Sequence, residues 1–187
     1  MEKEENPWKT LTTVEKYDNP WIRVSKSEVI DPGGNKGEYG VVHFKNLALG
    51  VLPIDSDGNT WLVGQFRYPL NRYTWEIPEG GGALGVPPLE SAKRELLEEA
   101  GITANKWELL QEMDLSNSAT DERALLYLAT DLSFTEPNPD SNEDLKLMKV
   151  PFEEVYQRVV SGELRDSLTV AAVLKLKTLH LEGKIEI

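Results

Sequence analysis

The sequence predicts a layered α+β or α/β/α domain preceded by a small antiparallel β extension, and three observations carry that expectation. Its first half alternates β-branched and aromatic residues between turn signals, its middle and end carry helical spacing, and strands return between the helices. A length of 187 residues suits one main domain with an extension, and 40% hydrophobic residues can fill its core.

The first strands are expected at 11–17, 21–30 and 38–45, with "DPGGNKG" as the turn between the second and third. Two more follow at 47–54 and 60–68 around the turn "DSDGN". The segment "LALGVLPI" is continuously apolar and reads as a strand buried on both faces, whereas 21–30 reads as half exposed. We place a boundary near residue 45, giving an extension over 1–45 and a main domain over 46–187. The tripeptide Asn-Pro-Trp occurs at 6–8 and again at 19–21, but nothing else recurs with that spacing.

Residues 77–86, "IPEGGGALGV", read as a glycine-rich loop leading into a helix over 87–100, with proline in its first turn and Gly101 suited to its C-terminal cap. "WELLQEMDL" and "RALLYLAT" read as a strand pair. The acidic, proline-bearing stretch 131–145 reads as a solvated loop, "KLMKV" as a strand, and "PFEEVYQRVVSG" and "DSLTVAAVLKLKTLHL" as helices.

Composition excludes several functions. The formal charge of -12, from 32 acidic against 20 basic residues, repels nucleic acid and anionic membranes, although locally bound metal ions would still admit a small phosphate ester. No cysteine is present, which removes disulfides, thiolate metal sites and cysteine nucleophiles. His43 and His180 are too few and too far apart in sequence for a histidine metal cluster. No apolar run approaches the about 18 residues of a membrane helix, and the charged start "MEKEENPWKT" has no apolar core. The chain therefore reads as a cytoplasmic protein.

The chemistry concentrates in the helix over 87–100. At about 100° per residue, Glu95 and Glu99 lie about 40° apart, with Glu98 about 60° to the other side of Glu95. All three can face one patch of space. Like charges at these spacings repel by a few tenths of a kcal/mol each, so the arrangement wants a counterion, and a divalent metal is one. Magnesium takes oxygen ligands and is commonly shared with substrate phosphates, which suits this donor set, with manganese as the alternative ion. Arg94 precedes Glu98 by four residues and can hold one carboxylate in a fixed geometry, leaving the others to a metal. "ELLEEA" alone would be a solvated helix face, but the spaced Gly80, Arg94 and Gly101 argue otherwise.

Gly80, Arg94, Glu95, Leu96, Glu98, Glu99, Gly101 and Ile102 stand in the register of the Nudix hydrolase signature, which this chain resembles. One position departs: Val86 stands where the signature has its first glutamate. The resemblance implies a Nudix-type α/β/α sandwich with a mixed sheet, metal ligation by Glu95, Glu98 and Glu99, and a magnesium-dependent attack on a phosphoanhydride. "GQFRYPLNRYTWEIPEG" resembles the lead-in of the branch that cleaves ADP-ribose and nucleotide sugars. By that likeness Arg67 grips the diphosphate, Glu76 stands near the metal, and Glu79 offers its backbone carbonyl as a ligand where relatives usually have alanine. "SNEDLKLMKVP" is similar to the loop that supplies a base or further ligand, which selects Glu143 over Asp140 and Asp144. The extension resembles the segment through which such enzymes pair as homodimers, and Trp21 falls where a relative stacks a ring on the base. The terminal helix looks structural.

The expected substrate is a small-molecule nucleotide sugar, with neither nucleic acid nor membrane as partner. Two other functions fit the residues less well: a nucleotide-sugar sensor that binds without cleaving, suggested by Val86, and a nucleoside triphosphate pyrophosphatase, which the long extension disfavours.

Overall fold

The computed structural model describes residues 4–137 and 144–187. The chain divides into two compact units, Met1–Asn46 with Asp114–Glu122, and Leu47–Met113 with Arg123–Ile187.

The first unit is built on a three-stranded antiparallel sheet, β1 (Lys9–Asp18), β2 (Ile22–Ile30) and β3 (Lys36–Phe44), in that order. The β2–β3 turn is closed by Asp31, whose carboxylate accepts the Asn35 N–H at 2.8 Å, while Gly34 takes the left-handed conformation at φ 85°. β1 is the edge strand and is exposed along its whole length. Residues 114–122 join this unit through a hydrogen bond from Val42 N–H to Ala119 O and one from the Tyr39 hydroxyl to Ser118 O.

In the second unit a four-stranded sheet runs in the order β7 (Glu79–Ala83), β4 (Asn46–Pro53), β9 (Arg123–Phe134), β8 (Ile102–Asp114). β4 and β9 are parallel, with Ala48 opposite Ala124 and Pro53 opposite Ala129. A second, antiparallel sheet has the order β10 (Lys146–Pro151), β5 (Asn59–Arg67), β6 (Arg72–Glu76). The α-helices among the described residues are α1 (Pro88–Ala100), α2 (Phe152–Val160) and α3 (Ser167–Leu181), and a short 3-10 turn spans Tyr68–Leu70.

Alternation along β4 sets the layers. Leu49 and Val51 join Ala92, Leu96 and Ala100 of α1 in one buried cluster. Gly50 points the other way, where an added Cβ would meet Leu126, Ile77 and Leu168 of α3. Helices thus cover both faces of a mixed sheet, the expected α/β/α sandwich, and the continuous apolar run of β4 follows from burial on both sides. Truncating Leu96, wholly buried at this contact, to alanine would cost about 2–5 kcal/mol.

Two sequence expectations change. The glycine-rich stretch is not a loop: Glu79–Ala83 is a strand, preceded by a further short strand at Arg72–Glu76. The strand pair is also longer than its apolar cores, because β8 starts at Ile102, ahead of Trp107, and β9 runs on past Thr130 into polar residues, ending only at Phe134.

Candidate active site

α1 begins at Pro88, where a missing N–H costs nothing, and ends at Gly101, whose φ of 64° lets its N–H return to Leu97 O at 2.9 Å. β7 lies along this helix, and successive residues meet successive turns. The Glu79 N–H donates to Glu99 Oε2 at 2.9 Å, and an added Cβ at Gly80 would sit 2.1 Å from the Glu95 carboxyl carbon. Arg94 Nη2 donates to Gly81 O at 3.2 Å, and a Cβ at Gly82 would lie 2.8 Å from Leu49 and 3.5 Å from Ser91. The glycines are therefore a steric requirement of the site: any side chain at Gly80 occupies the space of the Glu95 carboxylate.

Arg94 fixes two of the helix carboxylates rather than one. Its Nη1 is 2.5 Å from Glu98 Oε2 and its Nη2 is 2.6 Å from Glu95 Oε1. This corrects the expectation that it holds Glu98 alone, and the reason is that one planar fork spans both neighbours. Glu99 is buried at 5% exposure, whereas the Glu98 side chain is 34% exposed.

A second cluster adjoins Glu79 on its other side. Arg67, at the end of β5, places Nη2 2.5 Å from Glu76 Oε1 and 2.6 Å from Glu79 Oε1, while Nε donates to Glu76 Oε2 at 3.2 Å. Gln65 donates to Glu76 at 2.8 Å. One carboxylate oxygen from each of Glu76, Glu79 and Asp166 lies within 4.8 Å of the others. Asp166 is the N-cap of α3, accepting from Thr169 N–H at 2.7 Å. Burial, then the charges of Asp166 and Glu76, push the Glu79 carboxyl well above the ordinary range, despite relief from Arg67. Burial likewise raises Glu76, with Arg67 opposing. Glu79 Oε2 is buried and accepts no N–H or hydroxyl among the described residues, and contact with the Asp166 carboxylate adds to the rise of the Glu79 carboxyl.

Thus Glu76, Glu79, Arg67, Arg94, Glu95, Glu98 and Glu99 form one chain of contacts around β7. Asp166 joins them although its sequence signal, an Asp three residues before Thr169, announces only a helix start. Glu143 and Asp140 lie outside the described residues, and Asp144 directly precedes the segment leading to β10. Trp21 belongs to the first unit, in the β1–β2 turn, where its N–H donates to Asn19 Oδ1 at 2.9 Å and 65% of the residue is exposed. It is therefore not core packing. Among the described residues, no helix is long and apolar enough to cross a membrane.

A divalent cation fits this donor set: the groups are carboxylate oxygens, Glu76, Glu79 and Asp166 each bring one within 4.8 Å of the others, and the glycine backbone of β7 leaves room for the Glu95 carboxylate.

Residues 45–168 match the family described as the NUDIX domain, and residues 8–42 match the nucleoside diphosphate sugar hydrolase N-terminal domain. An ADP-ribose pyrophosphatase of Mycobacterium tuberculosis is 32% identical over 174 residues, spanning 91% of this chain and 83% of its own. An ADP-ribose pyrophosphatase of Bacillus subtilis is 32% identical over 171 residues, spanning 90% of this chain and 92% of its own. A crystal structure of an ADP compounds hydrolase shares the fold, with a TM-score of 0.85 over 98% of this chain and 100% of that one at 19% identity. With the signature register from Gly80 to Ile102 seated on β7 and α1, the chain belongs to the Nudix hydrolase family, as an enzyme resembling its ADP-ribose and nucleoside diphosphate sugar pyrophosphatases.

Proposed function

We propose that this enzyme hydrolyses the diphosphate of a nucleoside diphosphate sugar, with ADP-ribose the first candidate, in a magnesium-dependent reaction that yields a nucleoside monophosphate and a sugar phosphate. The observation that carries the reading is the close seating of Glu95 and Glu99 on the backbone of Gly80 and Glu79, which gathers carboxylates where a cation and a diphosphate can meet. The names of the relatives and the match of the N-terminal segment favour a nucleotide sugar over a triphosphate.

Glu95 and Glu99, with Glu98 and the Glu79 carbonyl assisting, are the residues that would hold the ion, and Glu143 is a further ligand or the base. When bound, the ion supplies positive charge for the diphosphate and acidifies a coordinated water. The chain's own residues do the rest. Arg94 keeps Glu95 and Glu98 in place, and Arg67 orients the diphosphate through its planar fork, with Glu76 behind it. Glu98 or Glu143 accepts the proton of the water that attacks phosphorus as the P–O–P bond breaks.

Trp21 would stack on the base. We assign 1–45 to dimerisation and 46–187 to hydrolysis. Leu11, Val14 and Tyr17 on the exposed edge strand β1 give a second copy apolar surface to cover.

The test is a panel of nucleoside diphosphate sugars and nucleoside triphosphates incubated with the enzyme and magnesium, with products identified by mass. Monophosphate plus sugar phosphate is expected. Pyrophosphate as the main product, or tight binding without turnover, would overturn the proposal.

A further inference from the structure

A separate constellation lies in the first unit. In the β2–β3 ladder Arg23 stands opposite His43 and Ser25 opposite Val41, so Arg23, Ser25 and His43 share one face of the sheet. His43 is the diagonal neighbour of Ser25, and its Nε2 is 2.9 Å from Ser25 Oγ. Its Nδ1 is 2.6 Å from Asp121 Oδ2, while Asp121 Oδ1 accepts the Phe44 N–H at 2.9 Å, so both carboxylate oxygens are fixed. Burial opposes ionisation of Asp121, but the hydrogen bonds from His43 and Phe44 outweigh it and hold the carboxyl below its ordinary value. An ionised Asp121 keeps the ring proton on Nδ1 and leaves Nε2 as the acceptor of the Ser25 hydroxyl proton. Nucleophile, base and orienting carboxylate thus stand in the order required for an activated serine. Ser25 and His43 also line an open pocket of about 320 Å³ with Thr10, Thr13, Glu15, Arg23 and Ser27, Glu15 standing opposite Ser25 in the β1–β2 ladder.

We propose that Ser25, with His43 as general base and Asp121 as positioning residue, is a nucleophile toward small acyl esters that enter this cavity. Ser25 Oγ bonds to the ester carbonyl carbon as its proton passes to His43 Nε2. The bond from that carbon to the alkoxy oxygen then breaks, and the alcohol leaves with the proton from Nε2, so the acyl group stays on Ser25. Water repeats the sequence, its proton passing through His43 back to Ser25, and the carboxylic acid departs. β2 is the central strand, with β1 paired along one edge and β3 along the other. Charge developing on the carbonyl oxygen therefore falls to Arg23, two residues from Ser25 on the same face. A single side-chain donor makes acylation the readout to follow, ahead of rapid turnover.

The full-length protein is treated with p-nitrophenyl acetate, nitrophenolate release is followed, and the modified residue is located by peptide mass. Acetylation is expected at Ser25, absent in Ser25→Ala and slowed about 100-fold in His43→Gln. Asp121→Asn should slow it as well and Asp121→Glu restore part of the rate, while nucleotide-sugar hydrolysis by Ser25→Ala is unchanged. Acetylation confined to lysines in the wild-type protein would overturn the proposal, and this arm does not depend on any variant folding. Equal labelling of Ser25 in wild type and His43→Gln would overturn it too, leaving the hydrogen-bonded row as a tie between residues 114–122 and β3.

Discussion

The backbone N–H of Glu79 donates to Oε2 of Glu99 at 2.9 Å, binding the start of β7 to the last turn of α1. The acceptor is an oxygen, not necessarily a charge, so the structural and chemical roles of Glu99 can be separated. Glu99→Gln keeps an oxygen for this hydrogen bond and removes the negative charge from a residue only 5% exposed. The expected outcome is a fall in turnover of at least about 100-fold, comparable to the loss of one well-placed charge-stabilising group, with the melting temperature held within a few degrees. Full activity in this variant would remove Glu99 from the metal site.

Gly80 offers a purely steric test. A Cβ there would lie 2.1 Å from the Glu95 carboxyl carbon, and the clash is with the far end of a flexible side chain, not with backbone. Gly80→Ala should therefore fold, because the Glu95 carboxylate can swing aside. Displacing a catalytic group by about 1 Å can cost about 100-fold in rate. Steady-state kinetics alongside thermal melting should show activity falling with little change in stability, and a variant equally active and equally stable would place Glu95 outside the site.

These two residues mark where the sequence was legible and where it was not. The helix over 88–100 is written in local terms, proline at its start, Gly101 at its end and apolar residues on one face, so spacing alone finds it. β7 is not written locally. Four of its five residues, from Gly80 to Ala83, are glycine or alanine and read as loop, because strand propensity is a property of side chains that pack, whereas this strand exists to let α1 approach its backbone. Asp166 was illegible for a different reason: only the packing of α3 brings an N-cap residue beside Glu76 and Glu79, nearly ninety positions earlier in the chain. Arg67 and Glu76 were found through their likeness to the family, and geometry adds that they engage each other directly.

Away from this site, Asp55 gives an acid-stability experiment. Burial opposes its ionisation, but Lys149 at 2.7 Å and the Asn59 and Asp57 N–H groups outweigh that and hold the carboxyl at about 2, below its ordinary 3.8. A folded value below the unfolded one means the carboxylate stabilises the fold fully above the unfolded value, and that this contribution disappears as pH falls through about 2. Discounted for solvent screening, the contribution at neutral pH is about 1 kcal/mol. Chemical denaturation of wild type and Asp55→Asn should therefore differ at pH 7 and converge near pH 2; a gap that widens toward acid would contradict the assignment.

Arg67 and Glu79 make the sharpest pair, because the same guanidinium that would grip a diphosphate is engaged by Glu76 and Glu79. Removing the cation leaves Glu76, only 2% exposed, without its counter-charge, and Arg67→Ala should destabilise the fold by about 2–3 kcal/mol, below the figure for a fully buried pair because Arg67 is 34% exposed. Glu79→Ala acts in the opposite direction. It removes a buried carboxyl and relieves the repulsion from Asp166 and Glu76 that raises it. It also leaves Arg67 with one fewer carboxylate to exchange for phosphate, so KM for the diphosphate substrate should fall several-fold while stability holds or rises. Because the two residues are in contact, Arg67→Ala with Glu79→Ala should be less destabilised than the sum of the single variants. A KM that rises in Glu79→Ala would mean that this carboxylate orients Arg67 for the substrate instead of competing with it.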